Sequence, residues 1–464
     1  MKMTCHRWLG VVCLWFLLLF AAAPRLAVAD TLVWHKEKDR VDADIQNWDL
    51  VKLLENVAGT TGWHVFLEPD TAHKVSAKFN NLSTGEALRS LLGDLNFVVV
   101  PQTNAASRLY VFRTSRQNAS RAIRAVARAS APAKPIPNEL IVTLKPGSKT
   151  KIEDLARMLG AKIIGRMEGQ NAYRLQFDDA AAAEAAREQL ADNPDVQSVD
   201  FNYPVSAPPQ ATVVTGASAP ELQLKPKPSD GSCQPLVIGM IDTTVQQTSP
   251  SLARFIKPSL SVVGKVVPPT AHMTHATAMA ETILQSIQAK TGGNTSVTIQ
   301  PVDVFGNNET TTTFDVANGA VTAVNNGANI LNMSLGSGSD SKFLENTLSQ
   351  ISAQGIPIYA AAGNEPVTTP TYPAAYPGVV AVTASDRSGK IADYANHGNF
   401  IDMIAPGDSI VSFNGQNYLV EGTSTSTAFA SGMAAGLADS AGACADRAQA
   451  LLQSSLKPMA STKQ

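Results

Sequence analysis

An α/β fold is what this 464-residue sequence predicts: a mostly parallel sheet with helices on both faces, preceded by two small α+β domains. Three observations carry that prediction. From 233 to 458, continuous apolar runs of strand length alternate with helical stretches, which is how strands buried on both faces read. Ahead of them, the segments 30–115 and 138–204 each mix short strands with two helical patterns. Proline-rich or purely basic stretches, 116–137 and 205–232, mark the joints. A hydrophobic content of 44% with 16% charged residues describes a globular chain, and a net charge of −2 argues against a nucleic-acid surface.

The first 29 residues read as an export signal. Lys2 and Arg7 precede an uncharged run from Trp8 to Ala23, and Ala27-Val28-Ala29 offers a small-x-small cleavage site. No later stretch reaches ~18 apolar residues, so no transmembrane segment is expected once the signal is removed. Of the four cysteines, Cys5 and Cys13 leave with the signal. Cys233 and Cys444 remain as a candidate disulfide across the ends of the last domain, as an oxidising compartment allows.

Within 30–115, LVWHKE, WHVFLEP, KVSAKFN, FVVVP and RLYVF are strand-like. NWDLVKLLENVAG and STGEALRSLLGDL have helical spacing, with Ser83 as N-cap of the second. By this pattern the unit resembles the short N-terminal domain of secretins and TonB-dependent receptors. That resemblance implies a Gram-negative envelope, periplasmic or extracellular, with a protein partner there. Ala105 to Lys134 holds six arginines and one lysine with no acid, which reads as a basic linker.

From Asn138 to Tyr203 the order is strand, helix, strand, strand, helix, strand: ELIVTLKP, AKIIGRME, AYRLQFD and VQSVDFNYPV are the strands, and DAAAAEAAREQLADN is the second helix. This is the ferredoxin-like plan. The stretch Val205–Gly231, with APPQ, ASAP and KPKPSDG, reads as an exposed, cleavable connection. In the last domain PLVIGMI, VTIQPVDVF, NILNMSLG, IPIYAAAG and VVAVTAS are the strands.

Reactive groups of such a sheet gather at the carboxyl ends of its strands. Asp242 ends PLVIGMI, and Ser424 opens the uncharged, small-residue stretch after Glu421 in EGTSTSTAFASGMAAG. A helix there would be thin and buried, with free N–H groups at its start. A serine hydroxyl attacks only when a base takes its proton, and the base works better when a carboxylate holds its tautomer. The domain offers His272, His275 and His397 as bases. The order Asp, His, Ser separates this arrangement from other triads.

Here the domain resembles the subtilisin-like serine peptidases. VIGMIDTTV is similar to the segment around the family's aspartate and THATAMAETI to that around its histidine. NILNMSLGS looks like the substrate-backbone edge, AAAGNEP like the oxyanion-hole segment, and GTSTSTAFASG like the serine motif. YPAAYPGVVAVTASD and MIAPGDSIVS continue the likeness, which spans roughly 225 residues. It implies that Asp242 orients the base, His275 is that base, Ser424 is the nucleophile, and Asn364 with the Ser424 N–H binds the oxyanion. His272, which starts HMTH, stays open as an alternative base, and His397 reads as structural. Ser334-Leu335-Gly336 would pair with the substrate, and Ala361-Ala362-Gly363 imply an apolar pocket wall.

The resemblance also implies a self-processed zymogen whose ferredoxin-like unit is a prodomain, chaperone and inhibitor in one. Its substrate would be a protein or peptide. Calcium is implied by the family alone; no acidic cluster has calcium-ligand spacing, and no metal site or other cofactor is read. Thr244, Ala276 and Glu281 stand where glycines are usual, and Ala428 replaces a proline. These departures sustain a rival reading, a catalytically silent binding module in an envelope assembly. An α/β-hydrolase esterase needs a second glycine where Ser426 stands, and a different triad order.

Overall fold

The computed structural model describes residues 31–455, apart from 36–38, 101–106, 120, 124–133, 168, 209–210, 215–216, 229–230, 232, 247–252, 266–267 and 269–271. The export signal and much of the basic stretch lie outside the described residues. The chain divides into two compact units, Met1–Ala125 and Val126–Gln464.

The first unit holds two sheets. Thr31–His35, Arg40–Asp49 and Lys74–Ser83 form an antiparallel three-stranded sheet, and a second sheet orders Asn96–Val100, Arg108–Phe112, His64–Leu67 and Arg121–Ile123. Two helices, Leu50–Thr61 and Thr84–Leu92, pack against them. Ser83 caps the second helix in a capping box with Glu86, as its spacing predicts. The first helix starts at Leu50 rather than Asn47, because Val41, Ala43 and Ile45 alternate into the core and carry the chain to Asp49 as strand. Arg121–Ile123, in the segment read as linker, pairs antiparallel with Val65–Leu67.

The second unit opens with a four-stranded antiparallel sheet ordered Val196–Phe201, Glu139–Leu144, Ala172–Gln176, Lys162–Met167. The helices Ile152–Met158 and Ala180–Ala191 complete the β-α-β-β-α-β plan around Leu140, Val142, Leu175 and Leu190. After it comes a seven-stranded parallel sheet. Its strands are β1 (Val237–Asp242), β2 (Leu260–Ser261), β3 (Thr298–Asp303), β4 (Ile330–Met333), β5 (Ile358–Ala361), β6 (Val379–Ser385) and β7 (Met403–Pro406), in the order β2-β3-β1-β4-β5-β6-β7.

Side chains of β1 alternate between two cores. Ile238 and Met240 meet helices α1 (His275–Thr291) and α4 (Thr423–Ala441). Val237 and Ile241 meet α2 (Thr313–Asn325) and α3 (Lys342–Ser352) on the other face. The α/β layering expected from the apolar runs is therefore present. The small residues of α4 let it lie against α1: a Cβ on Gly432 would stand 2.6 Å from the Ile283 carbonyl. Cys233 and Cys444 are joined as a disulfide, their Cα atoms 5.3 Å apart.

Candidate active site

The aspartate arrives on the end of β1, fully buried, and its neighbour fixes it. The N–H of Thr243 donates to Asp242 Oδ1 at 2.7 Å. The Thr243 hydroxyl bonds the same oxygen and accepts from the Ala276 N–H at 3.1 Å, tying the aspartate turn to the first turn of α1. His275 is the first residue of α1, and its Nδ1 lies 2.8 and 2.9 Å from the two Asp242 oxygens. A carboxylate so placed holds the Nδ1–H tautomer and leaves Nε2 as the basic nitrogen.

The start of α1 is itself braced. Thr274 caps the helix by accepting from the Thr277 N–H, and the Gln246 side chain accepts from the Thr274 N–H and donates to the His272 carbonyl. His272 is solvent-exposed and enters through its backbone. His397 bonds the Ala395 carbonyl, in a loop.

Ser424 sits in the first turn of α4, after Gly422, whose φ of +146° few other residues adopt. The first helical N–H groups there favour negative charge. The Thr423 N–H and hydroxyl both donate to Asn364 Oδ1, at 2.8 and 3.1 Å. With its oxygen so engaged, the NH2 end of Asn364 is left to donate elsewhere. Ser424 donates its hydroxyl to the Ser334 carbonyl at 3.0 Å, and Ser334 returns a 3.0 Å bond to the Ser424 carbonyl. Behind them Asn332 donates to the Ser334 hydroxyl and accepts from Ser431, all three fully buried.

His275, Ser424 and Asn364 line one small pocket of about 20 Å³ together with Ala211 and Met279. Among the described residues, the hydrogen-bond partner of the Ser424 hydroxyl is the Ser334 carbonyl rather than the imidazole. Beside this pocket runs a larger cleft of about 340 Å³, lined by Ser334, Leu335, Gly336, Ala361, Gly363 and Asn364. His275, Ser424, Asn364, Ser334, Leu335, Gly336, Ala361 and Gly363 thus line two adjoining hollows, while Asp242 and Ala362 are fully buried and line neither. Sequence reasoning missed the bracing set of Thr243, Gln246, Asn332 and Ser431, because hydroxyl and amide residues far apart in the chain carry no pattern until the fold joins them.

Two neighbouring acids have shifted proton affinity. Asp303 lies on β3 in register with Asp242, and burial raises its carboxyl despite bonds from the Phe305 and Gly306 N–H groups. Glu281, on α1, is pushed up to about 7 by burial, although it accepts the Ser412 N–H at 2.8 Å. Glu281 stands where the resemblance expects glycine. Its carboxylate fastens α1 to the hairpin of Asp408–Phe413 and Gln416–Glu421, which leads into Ser424. Ala276 and Ala428, two further departures, are fully buried.

Known proteins resemble the domain that carries these residues. Residues 234–458 match the family model described as Subtilase family, and residues 121–202 match that of the fervidolysin N-terminal prodomain. A thermophilic serine proteinase of a Bacillus species is 32% identical over 206 residues, 43% of this chain and 51% of that protein. Thermitase of Thermoactinomyces vulgaris is 29% identical over 230 residues, 48% of this chain and 82% of thermitase. The chain therefore spans about half of one of these relatives and most of the other. Among solved structures, fervidolysin from Fervidobacterium pennivorans, a keratinolytic enzyme related to subtilisin, superposes over 67% of this chain and 55% of its own, with TM-score 0.51 and 18% identity. The epidermin leader peptide processing serine protease of Staphylococcus aureus does so over 67% and 90%, with TM-score 0.50 and 15% identity. At those identities the structures speak for the fold.

Proposed function

Because residues 234–458 form a subtilase-family domain whose named relatives are serine proteinases, we propose that this protein is an exported serine endopeptidase made as a self-processed zymogen. One observation carries the reading: His275, held by the buried Asp242, borders the same pocket as Ser424, with Asn364 beside them. His275 Nε2 takes the Ser424 proton as Oγ attacks the substrate carbonyl, and Asp242 stabilises the imidazolium. The Asn364 amide and the Ser424 N–H receive the oxyanion. His275 then protonates the departing amine, and water, activated by the same imidazole, releases the acyl group. In this reading the Ser424 hydroxyl leaves the Ser334 carbonyl and engages His275 across the pocket they share, as catalytic bonds tighten when substrate binds.

Substrate backbone would pair along Ser334-Leu335-Gly336 as an added strand, tolerant of sequence, with an apolar side chain against Ala361 and Gly363. The ferredoxin-like unit acts as prodomain, and the first unit as a contact module in the envelope. A second reading, a silent binding module, draws on the Ser424–Ser334 bond. Hydrolysis of a fluorescent casein by the full chain and by Ser424→Ala separates them. The peptidase reading expects turnover in the first and a loss of at least ~1,000-fold in the second; equal, negligible turnover in both favours the silent module.

A further inference from the structure

The chain's own connection between prodomain and catalytic domain runs along both sides of the candidate catalytic centre. On one side, Pro204–Ser206 pairs antiparallel with Thr310–Thr312, and the Ala207 N–H donates to the Glu309 carbonyl at 2.8 Å. Ala207 and Pro208 then line the larger cleft opposite Ser334–Gly338. On the other side, Ala211 borders the small pocket of His275 and Ser424. The next residues, Thr212–Val214, pair antiparallel with Asn417, Tyr418 and Leu419 of the hairpin that leads into Ser424. Residues up to Pro208 thus lie in the cleft that would hold the acyl half of a substrate. Thr212–Val214 lie on the edge of the hairpin that leads into Ser424, which would hold the leaving half.

Beyond Val214 the connection is fastened to the catalytic domain rather than to the prodomain. Asn417 donates its amide to the Ala217 carbonyl at 2.8 Å. Gln288 on α1 accepts from the Gln223 N–H and donates to the Glu221 carbonyl, at 2.6 and 2.9 Å. Lys225–Pro226 pairs with Asn294–Thr295, and Lys227 bonds the buried Asp439. The Cys233–Cys444 disulfide closes the series.

We propose that, after the chain cuts itself ahead of Thr212, the leaving-half strand Thr212–Val214 stays in place and screens the mature site against substrates that continue past the scissile bond. This rests on the peptidase reading. The cut itself balances as a hydrolysis. The Ser424 oxygen takes the acyl carbon of the bond, His275 carries the hydroxyl proton to the new amine, and water frees the acid. The amine end belongs to a segment anchored downstream at several points, so it remains close to the site and at high effective concentration. Substrates whose leaving group is small have no need of the occupied edge. Longer ones have to displace three residues of strand pairing.

The test compares two substrates on the matured full chain: a peptidyl p-nitroanilide, and a quenched peptide with the same acyl half and four residues beyond the bond. The prodomain occupies the acyl side that both substrates share, so their ratio cancels its effect. The variant is Thr212→Pro/Val213→Pro. Of two adjacent residues in an antiparallel strand, one turns its N–H toward the partner, and proline removes that donor. The KM for the longer peptide should fall about tenfold, the scale of one or two backbone hydrogen bonds, with the anilide unchanged. Gln288→Ala, which loosens the anchor from α1, should shift the ratio in the same direction. Intact-mass analysis of wild type should place the mature N-terminus between Pro208 and Thr212. An N-terminus beyond Val214, or an unchanged ratio in both variants, overturns the retained strand while leaving the peptidase standing. Absence of anilide hydrolysis from every form overturns the peptidase reading itself.

Discussion

His275, and not His272, carries its imidazole to Asp242. The choice is decided by where helix α1 begins, with Thr274 as the cap and His275 as its first residue. The residues flanking His275 make it readable in the sequence, since Thr277 and the small Ala276 fit a helix start that points inward. Glu281 is legible only as an oddity in a position where glycine is usual. The structure shows its consequence: a carboxyl that burial pushes up to about 7 and that accepts from the Ser412 N–H. Its folded-state pKa lies above the ordinary carboxylate value, so its ionisation opposes folding. The stability present below about pH 4.5 is lost as pH rises through about 7. Glu281→Gln keeps the acceptor for Ser412 and removes that loss. Urea unfolding of the two full-length proteins should show the variant gaining roughly 2–3 kcal/mol on wild type between about pH 5 and pH 8. A constant difference across that range contradicts the assignment.

Strands and helices of the catalytic domain are the most readable elements, because continuous apolar runs mark two-faced burial and five of them lie in one parallel sheet. At the sheet's two edges, Leu260–Ser261 is too short to announce itself by pattern, and Met403–Pro406 ends at once in proline. The Arg40–Asp49 strand is hidden by its polar outward residues and by Asn47, which takes positive φ at an irregular register. Contacts between elements are unreadable. Arg174, on the strand Ala172–Gln176 of the ferredoxin-like unit, bonds Glu139 through Nε and Nη2 at 2.8 and 2.9 Å. Its Nη1 reaches Asp315 of α2 at 3.1 Å. Asn202 joins the cluster by donating to Glu139 and accepting from the Phe314 N–H. Removing the guanidinium leaves two carboxylates without their common partner, an effect of about 3–5 kcal/mol for a buried pair. Arg174→Met should raise the dissociation constant of the cleaved prodomain at least ~100-fold, measured by inhibition of the matured chain with the variant prodomain it releases. Unchanged inhibition would mean that apolar packing around Phe314 alone sets the affinity.

The composition and the order of segments point to a multidomain chain, and the Cys233–Cys444 bridge is formed. The placement of 204–208 and 211–214 beside the catalytic centre has no signature in the sequence beyond its prolines, because a strand that pairs through its backbone needs no particular side chains. The site as a whole depends on long-range closure: Asp242 on β1 holds His275 of α1, and His275 shares one pocket with Ser424 of α4. A fluorophosphonate that esterifies only an activated serine reports on that assembly directly. Treating the full-length protein and mapping the adduct by peptide mass should place it on Ser424. It should vanish in His275→Ala and persist in His272→Ala. An adduct on another residue, no adduct at all, or labelling of Ser424 that survives loss of His275 would contradict the account.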